Sequence, residues 1–249
     1  YGILPGFLAG YAIGFLSPLV EKYLPDGLDT IIGALLLAPA ARLIAFAADP
    51  VVNAAMEYIG MTITAATEQS PVIMGFLLGG IMKMICTSPL SSMALTAMLG
   101  LTGLPMGIAA IACVAGSFTN GILFARLHLG DRSNVIAVML EPLTQAHIIT
   151  RYPIPIYASD FLGGGLAGIA AALLGIVNNA PGTASPIPGL LAPFAFNPAG
   201  KVVLALAIGA ASGIFAGLVG SFVFKRFATG EKTSVKAPVQ VSGTALPSK

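Results

Sequence analysis

Arg132 and Arg151 bracket an apolar run, NVIAVMLEPLTQAHIITR over residues 134–151, with Glu141-Pro142 at its centre. Roughly eighteen apolar residues can just cross a hydrocarbon core of about 30 Å. A carboxylate at that depth costs at least about 2.5 kcal/mol on insertion scales, so it faces protein or a water-filled cavity. Pro142 removes a backbone donor and pushes Glu141 away from helical geometry. Cations at both ends then predict a hairpin that enters from one membrane face and returns to it. Non-helical backbone is tolerated at depth only where it lines a protein cavity. The segment reads as the floor of a transport site, with Glu141, Gln145 and His147 as its polar side chains.

The rest of the composition places that hairpin in a membrane protein. Hydrophobic residues make up 56% and charged residues 9% of the chain, against about 25% charged in soluble domains. Backbone groups in lipid must be paired within their own segment, so the fold class is all-α, a polytopic membrane protein with broken helices and re-entrant hairpins. The 30 glycines suit helices that pack backbone to backbone. A net charge of +2 with scattered cations excludes a nucleic-acid binder. Cys86 and Cys113 lack metal-ligand spacing and read as buried apolar residues, and no metal or cofactor is expected. The chain opens at Tyr1 inside an apolar run without a signal-peptide pattern, which leads us to expect membrane segments upstream.

In order, residues 1–20 form a first span, stopped by Glu21-Lys22 and a Leu24-Pro25-Asp26-Gly27 turn. Leu28 to Ala48 forms a second, with Arg42 snorkelling to the interface. Asp49-Pro50 reads as the start of a new helix. That helix carries Asn53, Glu57, Thr64 and Glu68 near one face and is expected to flank a cavity or lie in the interface. Ser70 to Pro105 is too long for one span and short for two, and it breaks at CTSPLSS, residues 86–92. Thr87, Ser88, Ser91 and Ser92 beside Pro89 suggest two helices meeting at a solute-facing break, the alternative being hydroxyls that back-bond to helical carbonyls. Lys83, one turn earlier, is too costly to face lipid.

Met106 to Arg126 is the next span, with Asn120 as its polar residue. After the Glu141 hairpin, Tyr152-Pro153 begins a span to about Val177, with Asp160 expected in a helix-terminal or interfacial role. Residues 178–200 begin with Asn178 and Asn179 and contain no charge, which predicts a second hairpin dipping into the protein. The last span is Lys201 to Phe224, ended by Lys225-Arg226. The membrane domain is thus 1–226, and 227–249 a disordered cytoplasmic tail. Arg126, Arg132, Arg151 and Lys225-Arg226 fall on one side, the cytoplasm by the positive-inside rule. The hairpins then enter from opposite faces and meet near the midplane, the layout of an alternating-access carrier.

The segment from Gly79 to about Phe194 resembles a known family. GGIMKMICTSPLSSMALTAMLGLTGLPMGIAAIACVAGSF is similar to the stretch holding an (A/S)PISS motif in the perfringolysin O regulator-like group. That group is classed with the type 2 membrane (IIC) components of the phosphoenolpyruvate-dependent sugar phosphotransferase system. The similarity continues through IITRYPIPIYAS and NNAPGTASPIPGLLAPF and covers just under half the chain. The chain departs from it at MLEPLTQ, where the family has a Gly-Thr-Ser-Met-Leu-Gln type run, and at Lys83, which replaces an apolar residue. The resemblance implies a IIC-like scaffold, commonly a homodimer, and leaves open both a separate cytosolic phospho-donor protein and a carrier that works without phosphorylation.

The expected function is a non-enzymatic carrier in a bacterial inner membrane for a small polar solute such as a sugar or polyol. Its donors and acceptors would come from Glu141, Gln145, His147, Thr87, Ser88, Ser91, Ser92, Asn120, Asn178 and Asn179. The alternative is a IIC-like sensor that binds a ligand and signals through a partner. One prediction follows from the arginine bracket. Cysteines placed at 132 and 151 should react with an impermeant thiol reagent from the same face of a sealed vesicle, and reaction from opposite faces would replace the hairpin with a full span.

Overall fold

A computed structural model of the chain describes residues 3–23 and 28–227. The turn expected at Leu24 to Gly27 and the tail from residue 228 onward lie outside the described residues. All regular structure among them is helical. Helix α1 (Ile3–Tyr23) and helix α2 (Leu28–Gln69) pair with each other and form an arm. Helices α3 (Pro71–Thr87) and α4 (Ser92–Met98) follow, then α5 (Gly103–Leu127). Next come α6 (Arg132–Leu140), a 3-10 turn over Pro142–Gln145, and the single turn α7 (Ala146–Ile149). Helix α8 (Pro153–Leu173), short α9 (Pro186–Leu191) with a 3-10 turn over Ala192–Ala195, and α10 (Ala199–Val223) complete the body. Helices α2, α5, α8 and α10 are each long and apolar enough to cross a membrane.

The Asp49-Pro50 helix start does not occur. Helix α2 runs unbroken for 42 residues with Pro39 and Pro50 inside it. At about 1.5 Å per residue that is roughly 60 Å, about twice a hydrocarbon core. A proline inside a helix removes one hydrogen bond, whereas ending and restarting the helix would strand several amides and carbonyls. The polar face nevertheless does what was expected of a cavity-flanking helix. Asn53, Glu57, Thr64 and Glu68 line a cavity of about 840 Å³ closed on its other side by Ala97 to Thr102. Gly60 admits the Leu99 carbonyl to the α2 backbone, where a Cβ would come within van der Waals radii.

Helix α5 is the centre of the body, with 83% of its most apolar window buried, against 11% for α2. Helix α3 runs parallel to it, since Lys83 lies against Gly116 and Thr87 against Asn120. Helix α10 is parallel too, pairing Gly209 with Ile111 and Gly217 with Ile122. Helix α8 is antiparallel, with Gly163 beside Thr119 and the Ile176 carbonyl just beyond its C-terminus beside Gly107. The C-termini of α5 and α10 therefore share one end with the N-terminus of α8. Arg126, Arg132, Arg151, Lys225 and Arg226 gather there, as their spacing in the sequence requires.

Glycines make these contacts possible. On α3 and α8, Gly75 faces Gly168 and Gly79 faces Gly164, and a Cβ on Gly79 would collide with the Gly164 carbonyl. On α10, Gly213 meets the Ala115 carbonyl, and Thr119 Oγ1 donates to the Gly213 carbonyl at 3.1 Å. Close backbone approach supplies the dispersion and carbonyl contacts that hold helices together where water cannot drive association. Gly79→Val should therefore separate α3 from α8 and cost about 1–3 kcal/mol of stability, the usual range for overpacking. Gly14→Val, with open space around its Cβ position, should leave the unfolding midpoint of the purified protein close to that of the parent.

Candidate functional site

The two hairpins meet at their tips. The first begins at Asp131, which caps α6 by accepting from the Asn134 amide at 2.9 Å, while Asn134 Oδ1 accepts from the Asp131 amide at 3.0 Å. The Asn134 amide and the Ser133 hydroxyl hold the exposed Asp131 carboxyl below its usual range. That cap is present above the ordinary carboxylate pKa and is lost as pH falls through the lowered folded value. Nine residues of α6 rise about 13 Å, too little to cross a membrane. The chain then breaks at Glu141, held extended by Pro142 at φ −149° and ψ 97°. It turns back, and Asn134 Nδ2 donates to Gln145 Oε1 at 2.7 Å, tying the return arm to the first turn of α6.

The second hairpin starts from the opposite end of the body. The Asn178 amide donates to the Gly103 carbonyl at 2.9 Å, and the Gly103 amide donates to Asn179 Oδ1 at 3.0 Å, so the chain leaves α8 beside the N-terminus of α5. It returns to the same level, because Asn197 pairs with both backbone groups of Val177 at 2.6 and 3.0 Å. Between these clamps the chain passes Ala110 at Gly189. Its tip is Ser185-Pro186, extended at φ −152° and ψ 159°. Ser185 Oγ lies 3.4 Å from Glu141 Oε2 as a long donor contact. Next to it, the Ala184 carbonyl accepts from Ser92 Oγ at 2.6 Å, which joins this tip to the hydroxyl break as well.

Of the residues expected in the site, the structure brings Glu141, Ser92, Thr87 and Asn120 into one region. Thr87 and Asn120 are buried, with Asn120 Nδ2 donating to Thr87 Oγ1 at 3.1 Å. Glu141 is half-buried. The others hold the local chain. Ser88 Oγ donates to the Ile85 carbonyl at 2.8 Å and accepts from the Leu90 amide, the back-bonding arrangement. Ser91 caps α4 by accepting from the Ala94 amide at 3.2 Å. Gln145 is committed to Asn134 and Thr144, and Asn178 to Thr183 and the Ala180 amide. Asn179 caps α5 from outside, and His147 is exposed on the return arm.

The sequence model described as "Phosphotransferase system, EIIC" matches residues 1–236. The chain belongs to that family. Comparison with curated proteins and with solved structures finds no match to either. EIIC components are transport domains rather than catalysts.

Two features of this EIIC chain escaped the sequence reading. Ser185-Pro186 has the same form as Glu141-Pro142, a polar residue forced extended by a following proline inside an apolar segment, and that pattern would have identified the second tip. Asp160 is fully buried, not helix-terminal or interfacial as expected, and its Oδ1 lies 3.9 Å from Lys83 Nζ, also fully buried. The small residues Gly116 and Gly164 create the slot that Lys83 threads. Ser91→Ala should lower unfolding stability by about 1 kcal/mol through loss of the α4 cap. Ser92→Ala should instead leave α4 intact and loosen the second tip, seen as faster amide exchange around Ala184.

Proposed function

We propose that this EIIC-family chain carries a small polar solute, a sugar or polyol, across a bacterial inner membrane by alternating access around a site between the two hairpin tips. The observation that carries this reading is the approach of Glu141 to Ser185, which brings together two broken segments that enter from opposite ends of the body. A hydroxyl-rich solute leaving water needs several donors and acceptors at once. Glu141 would accept from two solute hydroxyls, and Ser185, Ser92, Thr87 and Asn120 would supply mixed partners. The long Glu141–Ser185 contact is weak enough for a solute hydroxyl to replace it. The cation-bearing end faces the cytoplasm by the positive-inside rule. The 1–226 unit acts as one membrane domain, paired as a homodimer and served by a separate phospho-donor protein.

Uptake of labelled sugars and polyols into proteoliposomes holding the purified chain is the direct test, and no uptake or binding across such a panel would overturn the reading. Glu141→Gln keeps the shape and removes the charge. A charge-assisted hydrogen bond is worth about 1.5–3 kcal/mol against about 1 for a neutral one. Losing about 1.4 kcal/mol weakens binding about tenfold. The expected outcome is therefore at least about tenfold weaker solute affinity with little change in thermal stability. Unchanged affinity with a lowered unfolding temperature would make Glu141 a structural support of the hairpin instead.

A further inference from the structure

The Lys83–Asp160 pair is not a closed ion pair. At 3.9 Å the two charges are too far apart to share a hydrogen bond, which for N–H to O needs about 2.7–3.2 Å. Lys83 Nζ and both Asp160 oxygens have no partner within hydrogen-bond geometry, and neither does Asn120 Oδ1 on α5. Thr87 and Asn120 flank the carboxylate. Every one of these side chains is buried. Buried ions left without hydrogen bonds are costly, so a packed body that retains them has open acceptor capacity at Asp160.

The charge balance says what that capacity is for. The titratable groups facing the pair are Cys86 from α3, Cys113 from α5, Tyr157 from α8 and Glu141 from the first hairpin tip. Of these, Glu141 is the one further carboxylate. Two carboxylates then share the single ammonium of Lys83, and the group carries one negative charge more than it can compensate. One proton restores neutrality. The burial of the two carboxylates decides where it goes. Glu141 is half-buried, whereas Asp160 is fully buried with Thr87 and Asn120 beside it but outside good hydrogen-bond geometry.

We propose that Asp160 is a buried proton-binding site and that it shares Lys83 as counter-ion with Glu141. A proton taken from the aqueous phase bonds to an Asp160 oxygen, no other bond breaks, and the Lys83 charge is released to balance Glu141. Thr87, beside the carboxylate, ends α3 next to half-buried Ser88. If the carrier reading holds, proton and solute occupancy become linked through Glu141. The proton site itself does not depend on that reading.

The test needs no solute. Infrared difference spectra of the purified full chain, recorded across pH, should show the carbonyl stretch of a protonated buried carboxylic acid that titrates away as pH rises. Asp160→Asn should abolish it. Glu141→Gln should retain it with the midpoint moved to lower pH, because Lys83 then serves Asp160 alone. If Asp160→Asn does not fold, Lys83→Met/Asp160→Asn removes both charges together and should equally lack the band. A parent protein without the band, a band that survives loss of Asp160, or a Glu141→Gln spectrum with no band or an unmoved midpoint overturns the proposal. A failed uptake assay alongside a titrating band would remove the carrier reading and leave the proton site standing.

Discussion

Helix α3 lies against α8 through facing glycines flanked by the Phe76–Phe161 ring pair, and most of the molecule depends on that contact. Gly75 and Gly79 meet Gly168 and Gly164 backbone to backbone. In a solvent as apolar as the helix surface, association rests on dispersion and close polar contact rather than on water release. The same closeness fixes the height at which α3 ends, and so places Thr87 beside Asn120 and the hydroxyl break beside the second hairpin. It also buries Lys83 and Asp160, which a looser pairing would leave able to snorkel or take up water. Packing and buried charge share one cause.

The hairpins are a second consequence of the medium. Broken backbone survives at membrane depth only when each amide and carbonyl finds a partner. Here the partners are side chains at the hairpin bases. Asn134 and Gln145 close the first, and Asn178, Asn179 and Asn197 close the second and bind it to α5. Several residues that look like solute ligands in the sequence are thus used to hold the tips in place. Where the tips meet, Glu141 and Ser185 make only a long contact, with Ser92, Thr87 and Asn120 behind them. The hairpins are thus tied firmly at their bases and bonded weakly at their tips.

Some of this was legible in the sequence. Hydropathy and the arginine bracket determine an all-helical membrane body, because length and charge decide which segments can sit in lipid whatever they pack against. Proline after Glu141 determines the break, since its ring forces the preceding residue to be extended in any context. The spacing of Asn53, Glu57, Thr64 and Glu68 determines a polar face on α2, because helical periodicity is local. The Asp49-Pro50 reading failed because a capping pair is only a preference, and α2 continues through it at the loss of one hydrogen bond.

The tertiary structure alone decided partnership. Nothing local to Asp160 distinguishes a helix end from a core position; the glycine contacts of α3 and α8 and the slot at Gly116 put it beside Lys83, far away in sequence. Nothing local to Ser88, Ser91, Gln145 or Asn178 says whether their hydrogen bonds go to a solute or to backbone. That choice depends on which chain segments arrive within about 3 Å, and hydrogen bonds form at that range or not at all. The sequence by itself determined which residues are polar at depth. Packing determined which of them meet, because burial and distance are properties of the assembled helices and of no single one.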